Sequence, residues 1–201
     1  MTRALAVAAV LATALVLAGC DDSSSSDGAT VGDPASSISS APAETSSPSG
    51  SDGVPESFGS TVNGTGYTFD VPEGWGQPSR TPPGEFDAFA VDLHDADGFS
   101  DNVNVLLSPA PSVTRQQIRA EFAAADVKVS FGDNVRISGM DSLHVMGSMS
   151  NRGVDYYIEQ FYPTAGDGQV YVVTFSFSPS VTPSERTAVI DETLATWVWT
   201  I

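Results

Sequence analysis

From residue 58 onward, apolar and polar residues alternate with a period of two. That period marks strands, because successive strand side chains leave on opposite faces. Tyr67, Phe69 and Val71 alternate with Thr68 and Asp70, and Pro72-Glu73-Gly74-Trp75-Gly76 closes the run as a turn. Phe89, Val91 and Leu93 alternate in a second strand. A third is Asn102-Val103-Asn104-Val105-Leu106-Leu107, bounded by Pro109 and Pro111. Further strand-like runs cover 127–131, 141–150, 154–162 and 169–177, and Gly166-Asp167-Gly168 joins the last two as a hairpin.

Two segments change to helical spacing. Thr114 followed by Gln117 has the form of a capping box, in which side chains satisfy the free amides of a helix start, and Ile118, Phe122 and Ala125 then recur on one face. Thr182-Pro183-Ser184-Glu185 is a second start, with Thr as cap, Pro at the first helical position and Glu at the third. Ile190, Leu194 and Trp197 follow it as an apolar stripe. Strands in series with two covering helices predict an α+β fold, a mainly antiparallel β-sheet covered by helices. The terminal Val198-Trp199-Thr200-Ile201 fits either an added strand or a frayed end.

The pattern stops before residue 58. From Asp21 to Ser57 the chain is Ser, Pro, Gly, Ala and acid, with Val31, Ile38 and Val54 as its large aliphatics. Such a stretch buries too little apolar surface to offset its ordering entropy, so a disordered tether is expected, with a reach of roughly 30–35 Å. Ahead of it stand Arg3, an apolar run from Ala4 to Ala18, and Leu17-Ala18-Gly19-Cys20. This is the layout of a secretory signal, and the last four residues resemble the bacterial lipobox, whose cysteine takes diacylglycerol before the signal is cut away. The run falls short of the roughly 18–20 apolar residues that span a bilayer, and Asp21-Asp22 follow it without a basic flank. The expected organisation is a lipoprotein signal peptide at 1–19, lipidated Cys20 and tether at 20–57, and a globular domain at 58–201. It places the protein at the cell membrane, on the extracytoplasmic face, held by its lipid anchor.

The formal net charge is −17, and residues 58–201 hold 18 acids against seven Lys and Arg. A nucleic acid would be repelled, so none is expected as a partner. Cys20 is the only cysteine, so the domain has no internal disulfide and depends on its core.

The sequence contains no Gly-x-Ser-x-Gly elbow, no His-Glu-x-x-His and no phosphate-binding glycine loop, and no cofactor is expected. His94 and His144 are its only histidines, and His144 sits in an alternating strand, which reads as a histidine on a sheet face. Asp92, His94, Asp95, Asp97, Ser100, Asp101 and Asn102 form the densest polar cluster. Its spacing departs from a calcium loop, with Gly98 too early and no glutamate at the twelfth position, so a turn is expected and no metal. Aromatic residues crowd 156–177, with Tyr157 and Phe161 on one face and Tyr156, Ile158 and Tyr162 on the other. Core packing accounts for this. The functional alternative is a cleft between sheet and helix for an acyl chain or sugar, with Tyr157, Phe161 and Trp197 as the candidate ligand-binding residues.

Taken in order, Tyr67-Thr68-Phe69-Asp70-Val71-Pro72-Glu73-Gly74-Trp75, Phe99-Ser100-Asp101-Asn102-Val103-Asn104-Val105, Val170-Tyr171-Val172-Val173-Thr174-Phe175-Ser176 and Leu194-Ala195-Thr196-Trp197 resemble the actinobacterial LpqN/LpqT-type lipoproteins, which share the fold of the photosystem protein PsbP. The resemblance implies an α/β/α sandwich and a non-catalytic envelope protein that binds a lipid, a glycolipid or an envelope protein. Alternatives of another class are an envelope hydrolase using the carboxylates of Asp92, Asp95, Asp97 and Asp101, and a purely structural protein-interaction subunit.

Overall fold

The computed structural model describes residues 58–80, 84–95 and 97–201. The expected signal peptide, Cys20 and the tether lie outside the described residues.

Among the described residues, eleven strands and two helices follow in the order β1 (Phe58–Gly64), β2 (Tyr67–Pro72), β3 (Trp75–Gly76), β4 (Ala88–Asp92), β5 (Asn102–Leu107), α1 (Arg115–Ala124), β6 (Val129–Phe131), β7 (Val135–Ile137), β8 (Met140–Asn151), β9 (Val154–Pro163), β10 (Tyr171–Phe177), α2 (Pro183–Ala195) and β11 (Val198–Trp199). The large sheet runs β3-β4-β5-β10-β9-β8-β6, with β7 also paired to β8, and a small sheet runs β1-β2-β11. Every pairing is antiparallel. The fold is therefore α+β, a mainly antiparallel sheet covered by helices.

Both faces of the large sheet are covered, which is why β10 is buried at every position. On one face Val103, Val105, Phe161, Val173 and Phe175 meet the small sheet and Ile190 of α2. On the other, Leu106, Val145, Ile158 and Val172 meet Ile118 and Phe122 of α1. The Asp87 carboxylate pins the small sheet down by accepting from Thr65 N, Thr65 Oγ1 and Tyr67 Oη at 2.6–2.9 Å. Burial, with that carboxylate beside it, raises the Tyr67 phenol far above its ordinary range.

Both capping boxes form as expected: Thr114 with Gln117, and Thr182 with Glu185. Two details differ from the expected pattern, and the open reading of the terminal residues is decided. Leu93 lies beyond β4 and is 55 % exposed, while Ala88 and Ala90 enter the core, because they face Val105 and Val103 of β5. Trp197 is not on the helical stripe: α2 ends at Ala195 with Thr196 as its cap, and Trp197 leads into β11. The terminal residues add that strand to β2, through Val198 opposite Thr68 and Trp199 opposite Tyr67.

Candidate functional site

The register of β8 on β9 sets Ser148 opposite Tyr157, Met146 opposite Glu159 and His144 opposite Phe161. Opposed residues point the same way, so these six share the face against which α2 packs. Toward β10 the helix and the small sheet cover this face. Toward β8 and β6 the sheet extends past α2, and two adjoining cavities open there with Glu159 in the wall of both.

The first cavity, about 370 Å³, lies between α2 and the His144 end of the strands, with Phe161, Ile190 and Leu194 as apolar wall. His144 Nε2 stands 2.8 Å from Glu159 Oε2, each side chain only 16 % exposed. An ionised carboxylate only accepts, so the imidazole donates. Its ring lies on Phe161, with centroids 4.6 Å apart and planes 14° from parallel. Gly132 makes room for this pose: a Cβ there would stand 2.6 Å from Nδ1. The Thr187 hydroxyl in the same cavity donates to Pro183 O at 2.9 Å within its own helix, so it is not aligned as a nucleophile on His144.

The second cavity, about 400 Å³, is bordered by Lys128, Ser130, Met146, Ser148, Tyr157 and Arg186. The Arg186 guanidinium sits 4.3 Å above the Tyr157 ring and donates from Nη1 to Val181 O at 3.0 Å. Its Nε is buried and has no hydrogen-bond partner.

The three residues expected from sequence to bind a ligand are thus spread out. Tyr157 is half-buried and walls the second cavity, and Phe161, 1 % exposed, floors the first. Trp197, 2 % exposed, lines neither, because its indole stacks on Phe69 at 4.8 Å and on Tyr67 at 4.6 Å. Arg186, Lys128 and the His144–Glu159 pair were not singled out together. The pair separated by 15 residues meets only through the hairpin register, and Arg186 reaches Tyr157 from another element.

The acidic cluster is a turn bound to the β10–α2 connection. Asp92 accepts from His94 N at 2.8 Å, and Asp95 from Asp101 N at 3.0 Å. Asp97 accepts from Ser178 Oγ at 2.5 Å and Ser180 Oγ at 2.8 Å, and Asp101 from Ser178 N at 2.7 Å. The Ser178 bond, first among its donors, holds Asp97 below the usual carboxylate range. Among the described residues, no group of three or more His, Cys, Asp or Glu is placed to hold a metal ion. Nor is any helix among them long and apolar enough to cross a membrane.

No protein-family model and no curated protein matches the chain. Among solved structures it is similar to LpqN of Mycobacterium tuberculosis, described as involved in cell envelope biogenesis, at 17 % identity and a TM-score of 0.45 over 75 % of this chain and 88 % of that one. It is also similar to cyanobacterial PsbP of Synechocystis, at 15 % identity and a TM-score of 0.42 over 75 % and 96 % of the two chains. A Bacteroides thetaiotaomicron protein gives 16 % identity and a TM-score of 0.44 over 69 % of this chain, which spans 48 % of that protein's length. Likenesses at these scores and identities do not establish a family.

Proposed function

We propose that the protein is a lipid-anchored binding or accessory module of the cell envelope, of the LpqN/LpqT type. In this reading it holds an amphipathic envelope ligand, a lipid or glycolipid, between α2 and the β8–β9 hairpin, and it does no covalent chemistry. The observation that carries the reading is the pair of adjoining cavities sharing Glu159. Their volumes of about 400 and 370 Å³ fall in the range of small-molecule sites, and one wall is apolar while the other carries a few fixed polar groups. The lipobox-like Leu17-Ala18-Gly19-Cys20 and the acidic Ser- and Pro-rich stretch after it support a tethered position outside the membrane.

Heteronuclear NMR during titration with a short-chain alkyl glucoside and a short-chain phospholipid tests this reading. The expected shifts cluster on β8, β9 and α2, and Met146→Trp, which fills the 400 Å³ cavity beside Glu159, abolishes them while the spectrum elsewhere stays folded. Shifts confined to the α1 face, or none with either ligand, would contradict it.

A further inference from the structure

Against 18 acids, residues 58–201 carry seven Lys and Arg, and three of those seven border the two adjoining cavities: Lys128, Arg136 and Arg186. Arg136 is committed, with Nε 3.3 Å from Asp141 Oδ1. Lys128 and Arg186 are not: among the described residues, no carboxylate lies within 4.0 Å of either. Glu159 is the one acid in the wall of the 400 Å³ cavity, and its Oε2 already accepts from His144.

Arg186 is held in place without being neutralised. Its plane rests on Tyr157 and Nη1 is used by Val181 O, while Nε is closed off from solvent, so the outer edge of the guanidinium at Nη2 is what can meet a ligand. A cation without a carboxylate partner retains its attraction for an oxyanion, and a guanidinium matches an oxyanion better than any other side chain does. Two serine hydroxyls, Ser130 and Ser148, border the same space.

We infer that this cavity binds a phosphate-type oxyanion, received by Arg186 and Lys128 with Ser130 and Ser148 as further donors. The inference rests on the binding reading above and names the charged end of the ligand. The neighbouring wall of Phe161, Ile190 and Leu194 takes the aliphatic part when the phosphate belongs to a lipid.

Calorimetric titration of the full chain with inorganic phosphate, dihexanoyl phosphatidic acid and a neutral alkyl glucoside tests it. The anionic lipid is expected to bind, and Arg186→Gln and Lys128→Gln to weaken it roughly tenfold or more each, the loss of one charge-assisted contact. Lys128 is exposed, so its variant keeps the test valid if Arg186→Gln unfolds. Inorganic phosphate binding comparably to the lipid assigns the site to a free anion, whereas binding of the lipid alone assigns it to a headgroup. If the glucoside binds and neither phosphate compound does, or if both variants leave phosphate affinity unchanged, the inference is overturned and the binding reading stands. Failure of all three ligands removes both.

Discussion

Asp101 lies behind the acidic turn at 6 % exposure, and burial pushes its carboxyl up to about 7. The Ser178 amide opposes that rise, and the charges of Asp95, Asp97 and Asp92 add to it. An acid whose folded pKa exceeds its unfolded value binds more protons when folded, so stability falls as pH rises from about 4 to about 7 and then levels. Asp101→Asn keeps an acceptor for Ser178 N–H and removes the buried charge. It is expected to be more stable than the parent by on the order of 1–3 kcal/mol near pH 8, the gap closing near pH 4, as read by urea denaturation at both values. A gap that widened toward acid would contradict the assignment. Gly132→Ala acts at the His144–Glu159 pair: its methyl would stand 2.6 Å from His144 Nδ1, so the imidazole has to shift from its present pose. The expected signature is a change in the chemical shifts of the His144 ring in NMR, with the rest of the sheet intact.

The helices are fixed by local chemistry, and the sheet is not. Thr182 accepts from Glu185 N while the Glu185 carboxylate returns to Thr182, so Thr182→Ala should cost about 1 kcal/mol in thermal unfolding. Ser178→Ala, at the junction before α2, removes the hydroxyl from Asp97 and should cost about 1 kcal/mol as well, with hydrogen exchange rising over residues 97–101. Both caps and the hairpin at Gly168 were legible because each is written within a few consecutive residues. β5 and β10 were legible because their apolar runs are long. β1 was not, since its FGSTVNG shows no alternation, and Gly59 stands where a Cβ would collide with the Pro72 carbonyl oxygen. β7 and β11, at three and two residues, carry too little pattern to declare themselves. The candidate site was half legible: its aromatic floor followed from alternation on β9. Its polar groups depend on the β8–β9 register and on where α2 lands, and neither is encoded locally.

At the scale of the whole molecule, two regions of the same face of the large sheet divide the work, the small sheet toward β10 and the cavities toward β8. Trp197, Phe69 and Tyr67 form a continuous stack that ties the end of the chain to β2 and the small sheet to the core. Trp197→Ala should therefore cost about 3–5 kcal/mol of stability, while the folded fraction keeps its ligand affinity, since Trp197 lines neither adjoining cavity. Tyr157→Ala should do the reverse, with a small loss of stability and a large loss of binding, because its ring supports Arg186 at the cavity wall. Denaturation and ligand titration on the two variants separate the structural aromatic residues from the functional one. The central claim, that this domain carries an amphipathic envelope ligand, is tested most directly by native mass spectrometry of the protein purified from the membranes of its expression host. The account predicts a retained mass that extraction identifies as a lipid or glycolipid and that Met146→Trp eliminates. A ligand-free mass for the parent, unchanged after addition of envelope lipid extract, would contradict it.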